Sequence, residues 1–199
     1  IRVTEGFGIP LVQAMAAGLP IGEADIDVAH AVAGEAAIYA AVGNAATLGI
    51  LSPMGHIDAP IWKATIDLNL TANWRLLRSC DPLLQRAPAG RAIFVTSGIT
   101  QQPAPYWGPY AVSKAALESM VRIYAAEMAH TKVRANLINP GPMRTKLRVE
   151  AFPGEDPMSV PPPEDLAGAF VPLAEESCTL NGQWVAADEW LSAQGSHRQ

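Results

Sequence analysis

A serine, a tyrosine and a lysine raise the first chemical question. Ser97 closes the apolar run "RAIFVTSG", and Tyr110 and Lys114 stand four residues apart in "YAVSKAAL". On a helix that spacing puts both side chains on one face, about 5–6 Å apart at Cβ. A free phenol titrates at about pH 10 and is a poor proton carrier at neutrality. A nearby ammonium favours the phenolate, and a fall of about 3 pH units needs roughly 4 kcal/mol of differential stabilisation. One close cation in a partly dry pocket can supply energy of that order. Such a tyrosine exchanges a proton with an alcohol or carbonyl oxygen, and a strand-end serine hydroxyl can hold the same oxygen. The spacing alone recurs by chance on surface helices. The order is more telling: strand, Ser97, loop, Tyr110 and Lys114 on a helix, a further strand, then Asn139-Pro140-Gly141. Tyr106 has no lysine at the matching offset and reads as a loop or pocket-wall residue. Trp107 reads either as core or as pocket wall.

Those residues need a scaffold, and the chain alternates short apolar runs with helical patterns, as in βαβ units. Its 199 residues, 49% hydrophobic with 16 Gly and 17 Pro, suit one α/β domain with many tight connections. Helical patterns are expected over 9–17, a turn or two over 27–33, a long stretch over 58–86, 109–129 and about 164–174. Asp58 is placed to cap the long stretch, with Pro60 in its first turn. Val112, Ala116, Met120, Ile123 and Met128 are the expected apolar positions of the helix that Pro109 opens. Strands are expected at "LPIGEAD", at "AAIYAAVGNAA" ending at Asn44, at "RAIFVTSG", "VRANLINPG" and "GQWVAAD". Residues 152–163, with "PGEDP" and "PPP", read as a loop over the pocket that sets specificity. The tail after Ser192 is expected to fray.

Composition narrows the function classes. The net charge is -5, and no Lys or Arg occurs between Val3 and Trp62, against six acids. Without a basic cluster, nucleic acid is a poor partner. No apolar run reaches the length of a membrane span and no signal peptide is evident. Cys80 and Cys178 lie far apart, which fits a reduced, cytoplasmic setting better than a disulfide framework. His30, His56, His130 and His197 sit at no metal-ligand spacing.

The ordered motifs resemble the short-chain dehydrogenase/reductase family from about Val42 to Asp188. "GNAATLG" is similar to that family's Asn-Asn-Ala-Gly strand end, matching at Asn44 and Ala45, with Gly43 for the first Asn and Ala46 for the Gly. "DLNLTANWRLLR" places the family's catalytic asparagine on Asn69. "FVTSG" gives Ser97, "YAVSKAAL" gives Tyr110 and Lys114, and "INPGPMRT" gives the loop that closes over the nicotinamide, with Pro140, Gly141 and Thr145. The resemblance implies a three-layer Rossmann-like α/β domain with a mostly parallel sheet. It also implies NAD or NADP as cofactor and a small-molecule alcohol or carbonyl substrate. Tyr110 would be the general acid-base, Ser97 would orient the substrate oxygen, and Lys114 would bind the nicotinamide ribose and tune the tyrosine. Asn69 would hold a water in the proton relay; the lesser alternative is a helix-kink residue satisfying its own backbone. A homo-oligomer built on the 109–129 helix is implied as well, and a buried intrachain face would leave the same pattern.

The beginning of the chain departs from that pattern. "TEGFGIP" is not the family's Thr-Gly-x-x-x-Gly-x-Gly turn, and the run to Asn44 is too short for the usual strands and helices. The sheet is therefore expected to be shortened at its N-terminal side, with 1–43 an atypical segment and 44–192 the dehydrogenase-like portion of a single domain, 1–199. Residues 5–39 resemble instead the donor-binding stretch of retaining glycosyltransferases, with Glu5 in place but Gln13 where a second Glu belongs. A Gly-x-Gly turn feeding a helix can still grip phosphate through free N–H groups. On that basis Gly6 and Gly8 are candidate phosphate contacts and Asp25 a candidate ribose acid, which favours NAD over NADP. Three readings stand: an NAD(P)-dependent oxidoreductase, a non-catalytic or chimeric Rossmann-like protein, and a nucleotide-sugar-binding fragment.

Overall fold

A computed structural model of the chain describes residues 28–33 and 36–196, with side chains from 40 to 192. Gly6, Gly8 and Asp25, and the elements expected at 9–17 and in "LPIGEAD", lie outside the described residues. Five strands form one sheet: β1 (Val28–Ala33), β2 (Ala36–Gly43), β3 (Arg91–Val95), β4 (Arg134–Asn139) and β5 (Trp184–Ala186), in that spatial order. Strands β2 to β5 run parallel, and β1 lies antiparallel to β2 at the edge. The mostly parallel α/β sheet expected from the alternation is therefore present.

The parallel strands are buried on both faces, which is why their sequences are nearly continuous apolar runs. Ala92 and Phe94 of β3 and Ala135 and Leu137 of β4 point to one side. There they meet Leu76, Leu77 and Leu84 of α2 (Ala72–Arg86) and Leu117, Val121 and Ala125 of α3 (Gly108–Glu127). Ile93, Val95 and Ile138 point to the other side, under Ala169, Phe170 and Leu173. That second layer is built from α5 (Pro163–Ala167), a 3-10 turn at Gly168–Phe170, α6 (Val171–Ala174) and α7 (Ala187–Ser196). Each fully buried Leu, Ile or Phe contributes about 1.5–3 kcal/mol, and the period-two alternation fixes the register that delivers them. At the end of the sheet away from the strand C-termini, buried Arg91 donates to the carbonyls of Gly90, Lys132, Glu175, Glu176 and Cys178.

Several expectations need correction. Residues 27–33 are not helical: "VAHAVA" is β1, paired in register with β2 from Val28↔Ala41 to Ala33↔Ala36. The long helical stretch is α1 (Ala59–Ile66), a π-helical turn (Asp67–Thr71) and α2, end to end. Asp58 occupies the N-cap position of α1, yet its side chain makes no capping bond. The helix expected near 164–174 is broken by its 3-10 turn, and α7 carries helical backbone past Ser192 to Ser196. Of the five expected apolar positions, Val112 (39%) and Ile123 (59%) of α3 are exposed, Ala116 is half-buried, and Met120 and the C-cap Met128 pack half-buried against the core. The buried face is Tyr110, Ser113, Lys114, Leu117, Glu118 and Val121. Its polar members disguise it in the sequence as the wet face.

Candidate active site

Strands β2, β3 and β4 all end on the same side of the sheet, and the candidate residues follow those ends. Asn44 and Ala45 come directly after β2, Ser97 two residues after β3, and Pro140-Gly141 directly after β4. Crevices at the carboxyl ends of parallel strands are where open α/β sheets bind ligands, because loops there leave both faces of the sheet. Helix α3 then starts beside this edge, with Pro109 in its first turn. Tyr110 and Lys114 are thereby set on its buried face.

Three groups meet there. The Ser97 side chain draws the Tyr110 phenol's pKa down, while burial pushes it up more strongly. The net direction is upward. Lys114 is fully buried; its Nζ donates to the Val95 carbonyl at 2.8 Å and lies 5.8 Å from the Tyr110 ring centre. Burial lowers the ammonium's pKa to about 8. The lowering of the phenol's pKa is expected from the ammonium together with a positive nicotinamide ring; the ammonium without that ring leaves the net direction upward. The ammonium is aimed at the strand-end carbonyl and is itself weakened by desolvation.

Asn69 sits in the π-helical turn and is completely buried. Its Oδ1 accepts from the Thr47 N–H at 2.8 Å, and its Nδ2 donates to the Thr47 carbonyl and the Ser113 Oγ, both at 2.9 Å. The Ser113 hydroxyl in turn donates to the Tyr110 carbonyl at 2.7 Å. Asn69 thus ties the loop after β2 to the helix that bears Tyr110. Its own carbonyl accepts from Asn73 Nδ2 at 2.8 Å. A π-turn inside an α-helix is a frequent mark of a functional position, since it rotates one residue out of the regular ladder. Gly43, at the end of β2, is required by space. A Cβ there would fall 2.2 Å from Asn73 Oδ1 and 2.3 Å from the Phe94 ring.

Gly141 has φ +77 and open space where a side chain would stand. Its N–H donates to Asn139 Oδ1 at 3.2 Å. Thr145 caps α4 (Lys146–Ala151), its hydroxyl accepting from the Arg148 N–H at 3.2 Å. Helix α4 covers the phenol: Ala151 and Leu147 pack with Tyr110, Leu48 and Trp107. A small surface cleft lies along this segment, lined by Arg144, Thr145, Val149 and Phe152 among others, and Tyr110 does not line it.

The sequence did not single out Glu118, Ser113 or Thr47. Glu118 is buried one turn beyond Lys114. Its Oε1 accepts from Thr96 Oγ1 at 2.7 Å, Thr100 Oγ1 at 2.6 Å and Trp184 Nε1 at 3.1 Å. The Thr100 hydroxyl also lies 2.9 Å from the Ser97 carbonyl. This carboxylate therefore braces the strand end that carries Ser97. Its place on the Tyr110–Lys114 face, i+4 from the lysine, was the available signal.

The comparisons with known proteins bear on the family and the fold. The short chain dehydrogenase family profile matches residues 24–156. The match begins ahead of Val42, so it takes in residues 24–39 of the stretch whose motifs resembled glycosyltransferases. An uncharacterized oxidoreductase of Escherichia coli, YciK, is 37% identical over 128 residues, 64% of this chain and 50% of that protein. A short chain dehydrogenase structure from Salmonella enterica superposes with a TM-score of 0.72 at 35% identity, covering 74% of this chain and 61% of that one. One from Shigella flexneri, complexed with NADP, gives 0.71 at 33% identity, covering 75% and 62%. The chain thus spans half the length of the Escherichia coli relative and about three-fifths of the two solved structures.

Proposed function

The chain belongs to the short-chain dehydrogenase family, and from that premise we propose that it is an NAD(P)-dependent oxidoreductase interconverting an alcohol and a carbonyl. One observation carries the reading. Ser97 and the buried Tyr110 and Lys114 come together at the carboxyl ends of the parallel strands, the ammonium 5.8 Å from the phenol ring centre.

The residues present suit the nicotinamide half of a dinucleotide. Lys114 has three N–H donors, and its recorded bond to Val95 uses one. Gly141 leaves an open, side-chain-free approach at the end of β4. Asn44, Ala45, Pro140, Gly141 and Thr145 are the remaining candidates to line that half. The Shigella flexneri structure complexed with NADP supports a nicotinamide dinucleotide in general. The preference for NAD rested on Asp25, which lies outside the described residues. Bound, such a cofactor supplies the hydride for reduction and accepts it in oxidation.

The chain's own residues manage the oxygen and the proton. Ser97 holds the substrate oxygen by hydrogen bond. Tyr110 gives its phenolic proton to that oxygen during reduction and takes it back during oxidation. Because burial raises its pKa, the phenol is protonated at neutral pH, the state a proton donor needs. Reduction should accordingly fall, and oxidation rise, as the medium becomes more alkaline. Asn69 and Glu118 position these groups from either side. We place the protein in the cytoplasm as a homo-oligomer of single-domain chains; Cys80 and Cys178 are free thiols, and no helix among the described residues is long and apolar enough to cross a membrane.

Replacing Tyr110 by Phe removes the proton carrier and keeps the ring. The expected loss in carbonyl reduction is about 10²–10⁴-fold, with dinucleotide binding retained. Unchanged turnover in Tyr110→Phe would refute the assigned role. A second reading, a Rossmann-like protein that keeps the site but binds dinucleotide poorly, draws on one feature. Strand β1 runs antiparallel, so it does not present its carboxyl end beside Asn44 as a further parallel strand would.

A further inference from the structure

We propose that the substrate of this site is an uncharged carbonyl compound or alcohol with a bulky apolar body, and that Trp107 and Phe152 select it. The inference rests on the oxidoreductase reading and adds the substrate class. Its basis is what stands against Tyr110. The Trp107 ring meets the Tyr110 ring edge-on with centres 5.9 Å apart, and meets Phe152 at 5.8 Å. Leu147 and Ala151 of α4 close over the same phenol. With Tyr110 sealed in this way, a substrate oxygen reaches Ser97 and Tyr110 only by displacing part of that apolar cover. Whatever replaces Leu147 and Ala151 inherits an apolar surround, where an unpaired charge loses its hydration without compensation.

The surrounding surface has the same character. Several of the large apolar side chains exposed in this structure lie on the three segments around the site: Leu51 and Met54 after β2, Tyr106 before α3, and Phe152 after α4. These segments are physically joined. Ser52 and Trp107 form a β-bridge, and the Ser52 N–H donates to the Tyr106 carbonyl at 3.0 Å. Tyr106 holds φ +74, a conformation costly for a side-chain-bearing residue and common where a site fixes its walls. That geometry sets the next residue, Trp107, against Tyr110.

The cations nearest the wall are already committed. Arg148 stacks on Phe152 at 3.8 Å, and Glu155 takes its guanidinium in two bonds of 2.7 and 2.6 Å. Arg144 donates to the carbonyls of Pro157 and Val160. An anionic substrate would have to compete for groups that hold the cover together.

The test compares acetophenone with 4-acetylbenzoate, which has the same ketone and an added carboxylate. Binding to the full chain is measured by equilibrium dialysis with NADP present, and NADPH oxidation is followed in parallel. Acetophenone is expected to bind at least about tenfold more tightly, and Trp107→Ala or Phe152→Ala to weaken it by about tenfold. Trp107→Phe should restore most of that loss. Equal or tighter binding of 4-acetylbenzoate overturns the proposal, as does failure of both ketones to bind, or wild-type affinity in both alanine variants. The wild-type comparison stands even where a variant fails to fold. Selective binding of acetophenone without NADPH oxidation would remove the oxidoreductase reading and leave the apolar site intact.

Discussion

Lys114 is the residue on which burial and chemistry pull in opposite directions. Its folded pKa of about 8 lies below the ordinary 10.5, so the unfolded chain binds more protons across that interval. Stability must then rise with pH between about 8 and 10.5, because neutralising the amine removes the cost of a buried charge. Below pH 8 the cost is present in full. Compared with Lys114→Met, the wild type should gain up to about 3 kcal/mol on passing from pH 7 to beyond pH 10. Urea unfolding of both proteins across that range measures it; a constant difference would contradict the buried, weakened ammonium. The same conflict explains what could be read at this scale. Ser97, Tyr110 and Lys114 were legible because their chemistry and spacing are unusual together. Glu118 and Ser113 were not, since an acid or a hydroxyl on a helix ordinarily faces water. Only tertiary partners, Thr96, Thr100 and Trp184 for the one and Asn69 for the other, bury them.

Helix α3 shows the corresponding effect at the scale of elements. Its inner face carries the candidate residues Tyr110 and Lys114, and its outer face carries Val112 and Ile123 exposed, with Ala116 half-buried between them. The sequence pattern marked these as apolar positions of the helix, suited equally to a second subunit or to an intrachain face. An apolar stripe left on the surface argues for a partner, and a second copy of the same helix is self-complementary to it about a two-fold axis. Sedimentation analysis should find an oligomer for the wild type and a monomer for Ile123→Glu; a monomeric wild type would remove this role for the stripe. Strands β3 and β4 were legible from β-branched, apolar runs. Strand β1 was not, because "VAHAVA" is alanine-rich and carries no decisive period, so pairing with β2 overrides its local preference. The π-turn at Asp67–Thr71 left no mark in composition, since it arises where Asn69 is drawn to Thr47 and Ser113.

For the whole molecule, the described sheet supplies half of what a dinucleotide-binding protein needs. Four parallel strands and their two helical layers gather Ser97, Tyr110 and Lys114 beside the ends of β2 and β4. The βαβ alternation made that half legible in advance. The candidates for the other half, Gly6 and Gly8 for phosphate and Asp25 for a ribose, lie where the motif departs from the family's and outside the described residues. One measurement therefore bears most directly on the account: a fluorescence titration of the full chain with NADPH, alongside Lys114→Ala. The account predicts saturable binding with enhanced nicotinamide emission, weakened about tenfold or more when the ammonium is removed. Absence of saturable binding by the wild type, or equal affinity in Lys114→Ala, would contradict it.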